Sequence, residues 1–502
     1  MNLLITVTLF GILLLSVYVF SKFRYTYWTR KGLAQLEPTF PYGNVKTILT
    51  GESSLADGFL EIYQQLKKQN LKHAGIYWFF KPQYIPLDLG IIKNILQNDF
   101  WNFMGHGFYH NQHDILTKNL FRLEGDEWRN LRSKLTSTFT SAKMRTMFDI
   151  LMEKTDDLVQ LLDETVKSHE SVKIENIATR FTIDATVSCT FGMESHSLKN
   201  EECDFKKYGD KFVEPNLAAP WLEMFVPWKV LPYTGYKIFG DLEDFLYRLV
   251  LNIMDYRKKH NIYRKDFIQL LMEMGELQES DSKEGECPLS KEDIVAQCFL
   301  FFTAGYETSA STITFAMYEI AQNQEVQQKI RDEINKALEK CDGKLTYKVV
   351  SEMTYLEKVV QETLRKYPPV STLPRLCSKT YKVPETDVVI DEGTMVQIPI
   401  LGIHMDPDYY PEPEVFNPER FNNENKAKRP KFTWMPFGEG PRTCLGSGFG
   451  MLQSKIGIMG LIKNYNFTLN ERSPRYPLVM KKGLFTSHSS RDIWLDITKT
   501  NQ

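Results

Sequence analysis

The chain has 502 residues, of which 42% are hydrophobic and 25% charged, so disordered, collagen-like and coiled-coil architectures are excluded. The formal net charge of −2 argues against a nucleic-acid-binding protein. Seven cysteines without a CxxC pair exclude a disulfide scaffold and a zinc ribbon, whereas 13% aromatic residues indicate a large apolar interior, an apolar ligand or a membrane contact.

The N-terminal segment has the composition of a membrane anchor. Residues 3–20 carry no charged side chain, and as a helix they would span ~27 Å, close to the ~30 Å thickness of a bilayer core. A cleaved signal peptide, the alternative interpretation, would have a basic start and a small-residue cleavage site, which this segment lacks. The positive-inside rule leaves the remaining chain in the cytosol, because basic residues follow the apolar run at Lys22, Arg24, Arg30 and Lys31.

The remainder of the chain predicts one large catalytic domain. We expect a transmembrane anchor over 1–21, a basic linker and Pro/Gly hinge over 22–44, and a single domain over 45–502. The next elements in chain order are a hairpin over 74–89, helices from about 126, and a polar loop over 275–290. Between them, residues 205–240 are rich in proline and aromatic side chains, and they are either ordinary core or a mobile lid that dips into the membrane: Trp221, Phe225, Trp228 and Tyr233.

A long helix follows the polar loop. Ser290 and Asp293 form a capping box that predicts its start. The helix continues for about 30 residues, or ~45 Å, and is apolar on every side between Cys298 and Ala304, so we expect that part to be buried. Further elements are a helix over 355–367, strands near 381–400, a helix from about 446, and strand-like runs over 466–498.

The segment from Phe437 to Gly446 combines residue types suited to one task. Cys444 precedes a helix, where backbone N–H groups and the helix dipole favour a thiolate. Gly438 and its neighbouring glycines allow the backbone to approach a flat object closely, and Arg442 offers a fork suited to a carboxylate. The combination indicates a thiolate bound to a metal within a planar, carboxylate-bearing macrocycle.

This segment resembles the FxxGxRxCxG haem-binding signature of the cytochrome P450 superfamily, whose haem is ligated by a Cys thiolate. Four other stretches resemble landmarks of that family, in the family's order. They are Trp128–Arg132 (WxxxR), Ala304–Ser309 (oxygen activation), Glu362–Arg365 (ExxR) and Pro418–Phe421 (PERF). The resemblance covers essentially the whole chain, and in detail it is closest to insect microsomal detoxification enzymes of family six. It implies a mainly α fold with smaller β-sheets (α+β), the cytochrome P450 fold.

The resemblance implies roles for individual residues. Cys444 would be the axial ligand of haem b, with Phe437, Gly438 and Gly305 beside the haem. Thr308 and Glu307 would be catalytic, Thr308 by bonding back to the carbonyl of Ala304 and Glu307 by feeding protons. Glu362, Arg365 and Arg420 would form a buried network that holds the Cys loop. The haem propionates would be bound by a set of donors: Trp128, Arg132, Arg375 and Arg442.

The resemblance also implies a substrate, partners and a location. A lipophilic small molecule would lie against a set of mainly apolar residues: Phe301, Phe302, Ala304, Val370, Leu373 and Leu484. Electrons would come from an NADPH-dependent flavoprotein reductase, with cytochrome b5 as an optional second donor, and we expect no nucleic-acid partner. The reductase would dock on two basic runs: Lys426, Lys428, Arg429 and Lys431, and Arg129, Lys134, Lys143 and Arg145. We expect the endoplasmic reticulum membrane, with the catalytic domain on the cytoplasmic side.

Two positions depart from the pattern of the insect enzymes. His106 stands near a position where related enzymes often have arginine, and Gly448 replaces another arginine after the cysteine.

The sequence also bears on other classes of site and function. His106, His110 and His113 lack the glutamate of an HExxH zinc site, and Gly446-Ser447-Gly448 does not fit the GxSxG of a serine hydrolase. A hydroxylase of an endogenous hormone, pheromone or fatty acid remains the alternative function. A membrane-anchored haem-binding protein and a thiolate-haem isomerase are disfavoured by the Glu307–Thr308 pair.

Overall fold

The computed structural model describes residues 2–168, 171–213, 230–234, 236–280, 289–483 and 485–500. The chain forms two compact units. The first comprises Met1–Gly107, Val370–Pro413 and Arg429–Thr443, and the second comprises Phe108–Pro369, Glu414–Lys428 and Cys444–Gln502. Helices dominate the architecture and the sheets are small, which is the fold class that the sequence predicts.

The described helices, in chain order, are α1 (Asn2–Arg24), α2 (Tyr27–Arg30), α3 (Lys46–Leu49), α4 (Leu55–Lys68), α5 (Leu89–Lys93), α6 (Gly125–Thr136), α7 (Ser141–Ser168), α8 (Ile174–Phe191), α9 (Asp204–Val213), α10 (Asp241–His260), α11 (Phe267–Ser280), α12 (Lys291–Gln322), α13 (Gln324–Lys340), α14 (Tyr347–Ser351), α15 (Thr354–Lys366), α16 (Ile400–His404), α17 (Asn423–Lys428) and α18 (Ser447–Ile462). The described strands are β1 (His73–Trp78), β2 (Lys81–Pro86), β3 (Val172–Lys173), β4 (Leu373–Leu376), β5 (Tyr381–Lys382), β6 (Val389–Ile390), β7 (Met395–Ile398), β8 (Tyr465–Leu469) and β9 (Trp494–Lys499).

The first unit is built on a four-stranded sheet in the order β1-β2-β7-β4. The predicted hairpin is present as the antiparallel pair β1 and β2, with Trp78 opposite Lys81, so the turn lies at Phe79 and Phe80 and not at Lys81-Pro82. Strand β7 runs parallel to β2 and antiparallel to β4. One hydrophobic core covers the sheet and buries Trp28 and Tyr77 fully.

Helix α1 is the one described helix that is long and apolar enough to cross a membrane, and 6% of its most apolar window is buried. It continues to Arg24, three residues beyond the predicted end of the anchor. Its C-terminal half carries rings that contact the first unit: Tyr18 lies 5.6 Å from Phe40 and Phe20 lies 6.4 Å from Phe80, centroid to centroid. These contacts fix how the helix leaves the unit.

The long helix of the second unit is α12, and its capping box is formed as predicted: Ser290 Oγ accepts the Asp293 N–H, and the Asp293 carboxylate accepts the Ser290 N–H. It packs most extensively against α8. The expected burial on every side between Cys298 and Ala304 is only partly correct, because Ala304 is exposed. The accessible positions between residues 298 and 308 fall on one side of the helix, at residues 300, 301, 304, 305 and 308, the spacing of a helical stripe.

Two other expectations need correction or fall outside the described residues. The polar loop predicted over 275–290 is helical in its first part, because α11 extends to Ser280 and ends with the good helix formers Glu, Leu and Gln. Residues 281–288 of the predicted loop lie outside the described residues. In the predicted lid, Trp221, Phe225 and Trp228 lie outside the described residues, and Tyr233 is 89% exposed. The C-terminal strands β8 and β9 form a three-stranded sheet together with β3, in the order β3-β9-β8.

Candidate active site

The loop before Cys444 is held by backbone conformation and by one buried histidine. Gly438 and Gly440 have φ angles of 69° and 76°, which disfavour other residues. A Cβ on Gly440 would lie 1.8 Å from the carbonyl oxygen of Leu96, so only glycine fits there. The loop's start is fixed because the Met435 N–H donates to Nε2 of the fully buried His404 at 2.9 Å. The sequence analysis did not identify His404, which lies 31 residues earlier.

Cys444 directly precedes α18, as expected, and its side chain is accessible although protein atoms surround it densely. Burial raises the pKa of the Cys444 thiol, while the Gly446 N–H and the nearby Arg132 guanidinium act in the opposite direction. The Gly446 N–H and Arg132 therefore act in the direction expected of this position, and burial opposes them. A coordinating metal ion deprotonates a thiol outright, so Cys444 fits the role of a thiolate ligand to a metal.

Trp128 and Arg132 lie one turn apart on α6, as their spacing predicts. The Trp128 ring is 3% exposed. Arg132 is the charged neighbour of Cys444, and burial lowers the pKa of its guanidinium while Cys444 raises it. The structure therefore brings Arg132 to the cysteine.

Two arginines of the first unit lie buried at predicted positions. Arg442 Nη1 lies 3.3 Å from Nδ1 of His106, and both side chains are buried, so the unusual His106 is a neighbour of a predicted propionate ligand. Arg375 is fully buried, and its Nη1 donates to the carbonyl of Pro374.

Arg375 tests whether the site fits an anionic group. Within the described part of the chain, its Nε and Nη2 have no hydrogen-bond partner. Burial lowers the pKa of this guanidinium to about 9. A buried cation with unsatisfied donors is costly unless an anion pairs with it, and a haem propionate supplies such an anion. The residues present therefore fit the predicted cofactor.

The accessible stripe of α12 carries Thr308. Its hydroxyl donates to the carbonyl of Ala304 at 2.8 Å, the predicted back-bond. Gly305 has a structural reason that the sequence did not reveal, since a Cβ there would lie 2.9 Å from the Thr186 side chain on α8. Phe301 belongs to the stripe and contacts Phe267 at 3.7 Å between ring centroids.

Phe302 lies on another side of α12. It is fully buried among Phe191, Phe205 and Tyr306, so the structure places it in the core and not on the stripe. In the first unit, Val370 and Leu373 are partly exposed. Leu484 lies outside the described residues.

An aromatic cluster joins two segments of the second unit. Phe108 stacks on Phe121 at 5.4 Å, and Phe485 lies 6.0 Å from the first ring and 6.3 Å from the second. The segment 108–121 and the segment near 485 therefore meet within the second unit.

Glu307 is engaged away from the stripe. Its Oε1 accepts a hydrogen bond from the Thr486 hydroxyl at 2.7 Å and lies 2.5 Å from His488 Nε2. His488 Nδ1 lies 2.8 Å from Glu175 Oε1. Sequence reasoning missed His488, Thr486 and Glu175, because they are far from Glu307 in the chain and no local motif marks them.

The predicted buried network is present in the second unit. Arg365 donates to both oxygens of Glu362, at 2.7 and 2.8 Å, and both side chains are fully buried. Arg420 Nε lies 3.4 Å from Glu362 Oε1, which also accepts the Asn417 N–H at 2.9 Å. The network ties α15 to the segment that carries the PERF sequence.

Comparison with known proteins gives a consistent result. The family model described as Cytochrome P450 matches residues 38–494. Among curated proteins of Drosophila melanogaster, probable cytochrome P450 6a20 is 37% identical over 95% of both chains. Probable cytochrome P450 6a23 is 38% identical over 92% of this chain and 93% of its own length, and probable cytochrome P450 6a14 is 36% identical over 99% and 100%.

Proposed function

The chain belongs to the cytochrome P450 family of haem-binding monooxygenases, and from this premise we propose that it oxidises a lipophilic foreign compound, such as an insecticide or plant toxin, at the endoplasmic reticulum membrane. The observation that carries the substrate class is the accessible stripe of α12. Phe301, Ala304 and Gly305 present apolar surface there, and Thr308 is the single hydroxyl among them. A mainly apolar wall with one polar group is typical of sites for lipophilic ligands.

We propose that Cys444 would bind the haem iron and that Arg132, Arg375, Arg442 and Trp128 would hold the propionates. Bound haem supplies reductive activation of dioxygen, by which one oxygen atom enters the substrate and the other leaves as water. The fit rests on the unsatisfied guanidinium of Arg375 and on the placement of Arg132 beside Cys444. The three guanidinium groups would also neutralise the charge of the two propionates, and the Trp128 indole would add an uncharged donor.

For proton handling we propose Thr308 and Glu307. The Thr308 hydroxyl lies on the accessible stripe and donates its proton to the Ala304 carbonyl, so its oxygen can accept a hydrogen bond there. When the hydroxyl rotates away from that carbonyl, it can donate to a group bound against the stripe. Glu307 is the next residue along the helix, about 100° away around its axis, and its carboxylate faces the protein interior. It can therefore hold a proton inside the protein and pass it toward Thr308 through water.

The network of Glu362, Arg365 and Arg420 has a positioning role in this proposal. Glu362 and Arg365 are fully buried and paired, and Arg420, 11% exposed, lies against Glu362, so these charges are engaged with one another. Their contribution is to hold α15 and the PERF segment in one arrangement.

We further propose an NADPH-dependent flavoprotein reductase as the electron donor, with cytochrome b5 as a second donor. The basic runs expected to bind it are accessible in part: Arg129 and Arg145 are exposed in the second unit, as is Lys431 in the first. Such residues steer an acidic partner. Exchanging these three for glutamine should slow reduction by the reductase and leave haem content unchanged.

Membrane attachment is proposed from α1. Its side chains are exposed along the apolar stretch, and Lys22, Arg24, Arg30 and Lys31 follow, the order of a single-pass anchor with a cytoplasmic body. Deleting residues 2–24 should release the protein from carbonate-washed membranes. A deleted form that stays in the membrane would contradict the proposal that α1 is the anchor.

The decisive test of the cofactor assignment is the carbon-monoxide difference spectrum of the reduced protein. The wild type should show the red-shifted Soret band of a thiolate-ligated haem, and Cys444→Ser should lose it. For the substrate, we would screen insecticides, plant toxins, hormones and fatty acids for a change in the haem spin state. Binding of hormones or fatty acids alone would overturn the detoxification role in favour of an endogenous one.

A further inference from the structure

Glu307 is part of a hydrogen-bonded chain drawn from three elements of the second unit. His488, on the C-terminal segment, stands between two carboxylates: its Nε2 lies 2.5 Å from Glu307 on α12, and its Nδ1 lies 2.8 Å from Glu175 at the start of α8. Thr486 Oγ1 lies 2.7 Å from Glu307 Oε1 and 3.3 Å from His488 Nε2. The chain therefore links the acid of the oxygen-activation sequence to side chains beyond its own helix.

The hydrogen-bonded chain of Glu175, His488 and Glu307 runs from the surface to the interior. The Glu175 side chain is 37% exposed, whereas those of His488 and Glu307 are 9% and 6% exposed. Thr486 is partly exposed. Bulk water can therefore reach the outer members, while the inner carboxylate is reached through them.

The segment that carries His488 is fixed by its backbone. The Ser487 N–H donates to the carbonyl of Pro369 at 2.9 Å, and the Ser311 hydroxyl donates to the carbonyl of Ser487 at 2.8 Å. The Lys481 N–H donates to the carbonyl of His488 at 2.7 Å. A histidine held in this way keeps its ring in register with both carboxylates, a requirement for efficient proton transfer.

Resting on the function proposed above, we propose that His488 supplies protons to Glu307, that Glu175 holds the His488 ring for this transfer, and that Thr486 admits protons from water. All three act on the reaction through Glu307 and are positioning residues. The imidazolium gives its Nε2 proton to Glu307 and becomes a neutral imidazole that keeps Nδ1–H on Glu175. After Glu307 passes its proton on, the Thr486 hydroxyl reprotonates Nε2 and takes a proton from water, so the cycle returns to its start.

The surroundings of His488 keep it charged over the physiological range. Burial lowers the pKa of His488, but the hydrogen bonds and charges of Glu175 and Glu307 outweigh burial and raise it from 6.5 to about 9. Tyr306, beside Glu307, is neutral because burial raises the pKa of its hydroxyl well above 10. Two charged residues flank the outer end of this hydrogen-bonded chain and pair with each other: Lys173 Nζ lies 2.7 Å from Asp492 Oδ2.

The test compares two routes to product in the full chain. With the flavoprotein reductase, NADPH and 7-ethoxycoumarin as probe, we expect product per NADPH to fall roughly tenfold in His488→Gln, since a positioned acid contributes at least this much. Driving the same reaction with cumene hydroperoxide consumes no protons from the chain, so its rate should be unchanged. Asp492→Asn, in the neighbouring ion pair, is the matched control and should behave as wild type.

The pH profile gives a second measurement, which a merely structural role would not move. Wild-type product yield should hold up to about pH 9, where His488 loses its proton. Glu175→Gln removes one carboxylate, so its yield should decline at a lower pH. This variant alters the most exposed member of the chain, so it remains informative if His488→Gln does not fold.

Three outcomes would overturn the inference. Unchanged yield in His488→Gln removes any role, and an equal fall with NADPH and with hydroperoxide indicates a structural role only. If the product yield of Glu175→Gln depends on pH as that of wild type does, the proposed role of Glu175 in holding the His488 ring is contradicted. Thr308→Ala separates this failure from that of the proposed function: if Thr308→Ala lowers the yield and His488→Gln does not, only the inference fails, whereas full yield in Thr308→Ala counts against the proposed acid–alcohol pair itself.

Discussion

Two networks in the second unit pair carboxylates with cations, and they differ in exposure and in the cation used. Glu362 and Arg365 are both fully buried, and a guanidinium paired with a carboxylate is a much weaker acid than an imidazolium. His488 joins a buried carboxylate to one that is 37% exposed, and an imidazolium releases its proton readily. The first network can therefore only hold structure in place, whereas the second can move charge between water and the interior.

The largest change in the free energy of unfolding should come from disrupting the network of Glu362 and Arg365. Arg365→Ala leaves the Glu362 carboxylate buried with Arg420 and one backbone N–H, so we expect the free energy of unfolding to fall by about 3–5 kcal/mol. Urea unfolding followed by circular dichroism measures it. A loss below about 1 kcal/mol would show that the network does not depend on its central arginine.

The network of His488 should make the free energy of unfolding depend on pH. The pKa of His488 is raised to about 9 in the folded protein, so its contribution is complete below the unfolded pKa near 6.5 and is lost as pH rises through 9. The contribution is at most about 3 kcal/mol, from 1.36 kcal/mol per pKa unit. Urea unfolding between pH 6 and 9.5 should show a decline in wild type that His488→Gln lacks. Equal declines in the two proteins would contradict the geometry of the pair.

Arg375 extends the comparison of the two networks, because it is a buried cation whose Nε and Nη2 have no hydrogen-bond partner among the described residues. Arg375→Gln should weaken haem retention roughly tenfold or more, since a hydrogen bond to a charged group contributes about 1.5–3 kcal/mol. Without haem, the variant should be at least as stable as wild type, because a desolvated charge has been removed. Haem absorbance after gel filtration and unfolding of both forms measure these effects. Arg145→Gln, at an exposed position, is the control and should retain haem as wild type does.

The smallest effect should come from an ion pair that lacks burial. Lys428 Nζ lies 2.6 Å from Glu424, but the two side chains are 71% and 74% exposed. Lys428→Ala should change the free energy of unfolding by about 0–0.5 kcal/mol, measured as for Arg365→Ala. A larger loss would mean that pairing, and not burial, separates the two networks.

The features predictable from the sequence depend on neighbours in the chain. The capping box of Ser290 and the back-bond of Thr308 each join residues within four positions, and both are formed. The ExxR pair likewise lies on one turn of α15. Local rules suffice where the partners are close in sequence.

The features that the sequence did not reveal depend on distant partners. His488 meets Glu175 across 313 residues and Glu307 across 181, and Gly305 is constrained by Thr186 on another helix. The effect of burial on the pKa of the Cys444 thiol has the same origin, because the amount of protein packed around the thiol is set by the whole fold. Long-range packing decides these properties, and a single sequence does not contain it in readable form.

The C-terminal segment around residue 486 contacts both an aromatic cluster and the acid Glu307. Phe485 belongs to the aromatic cluster with Phe108 and Phe121, while Thr486 and His488 contact Glu307. Under the proposed function, a substitution of Phe485 that changes the aromatic cluster for a new substrate would also shift the backbone that carries the histidine. Such a change would lower the product formed per NADPH, and we expect substitutions at Phe108 and Phe121 to avoid that loss.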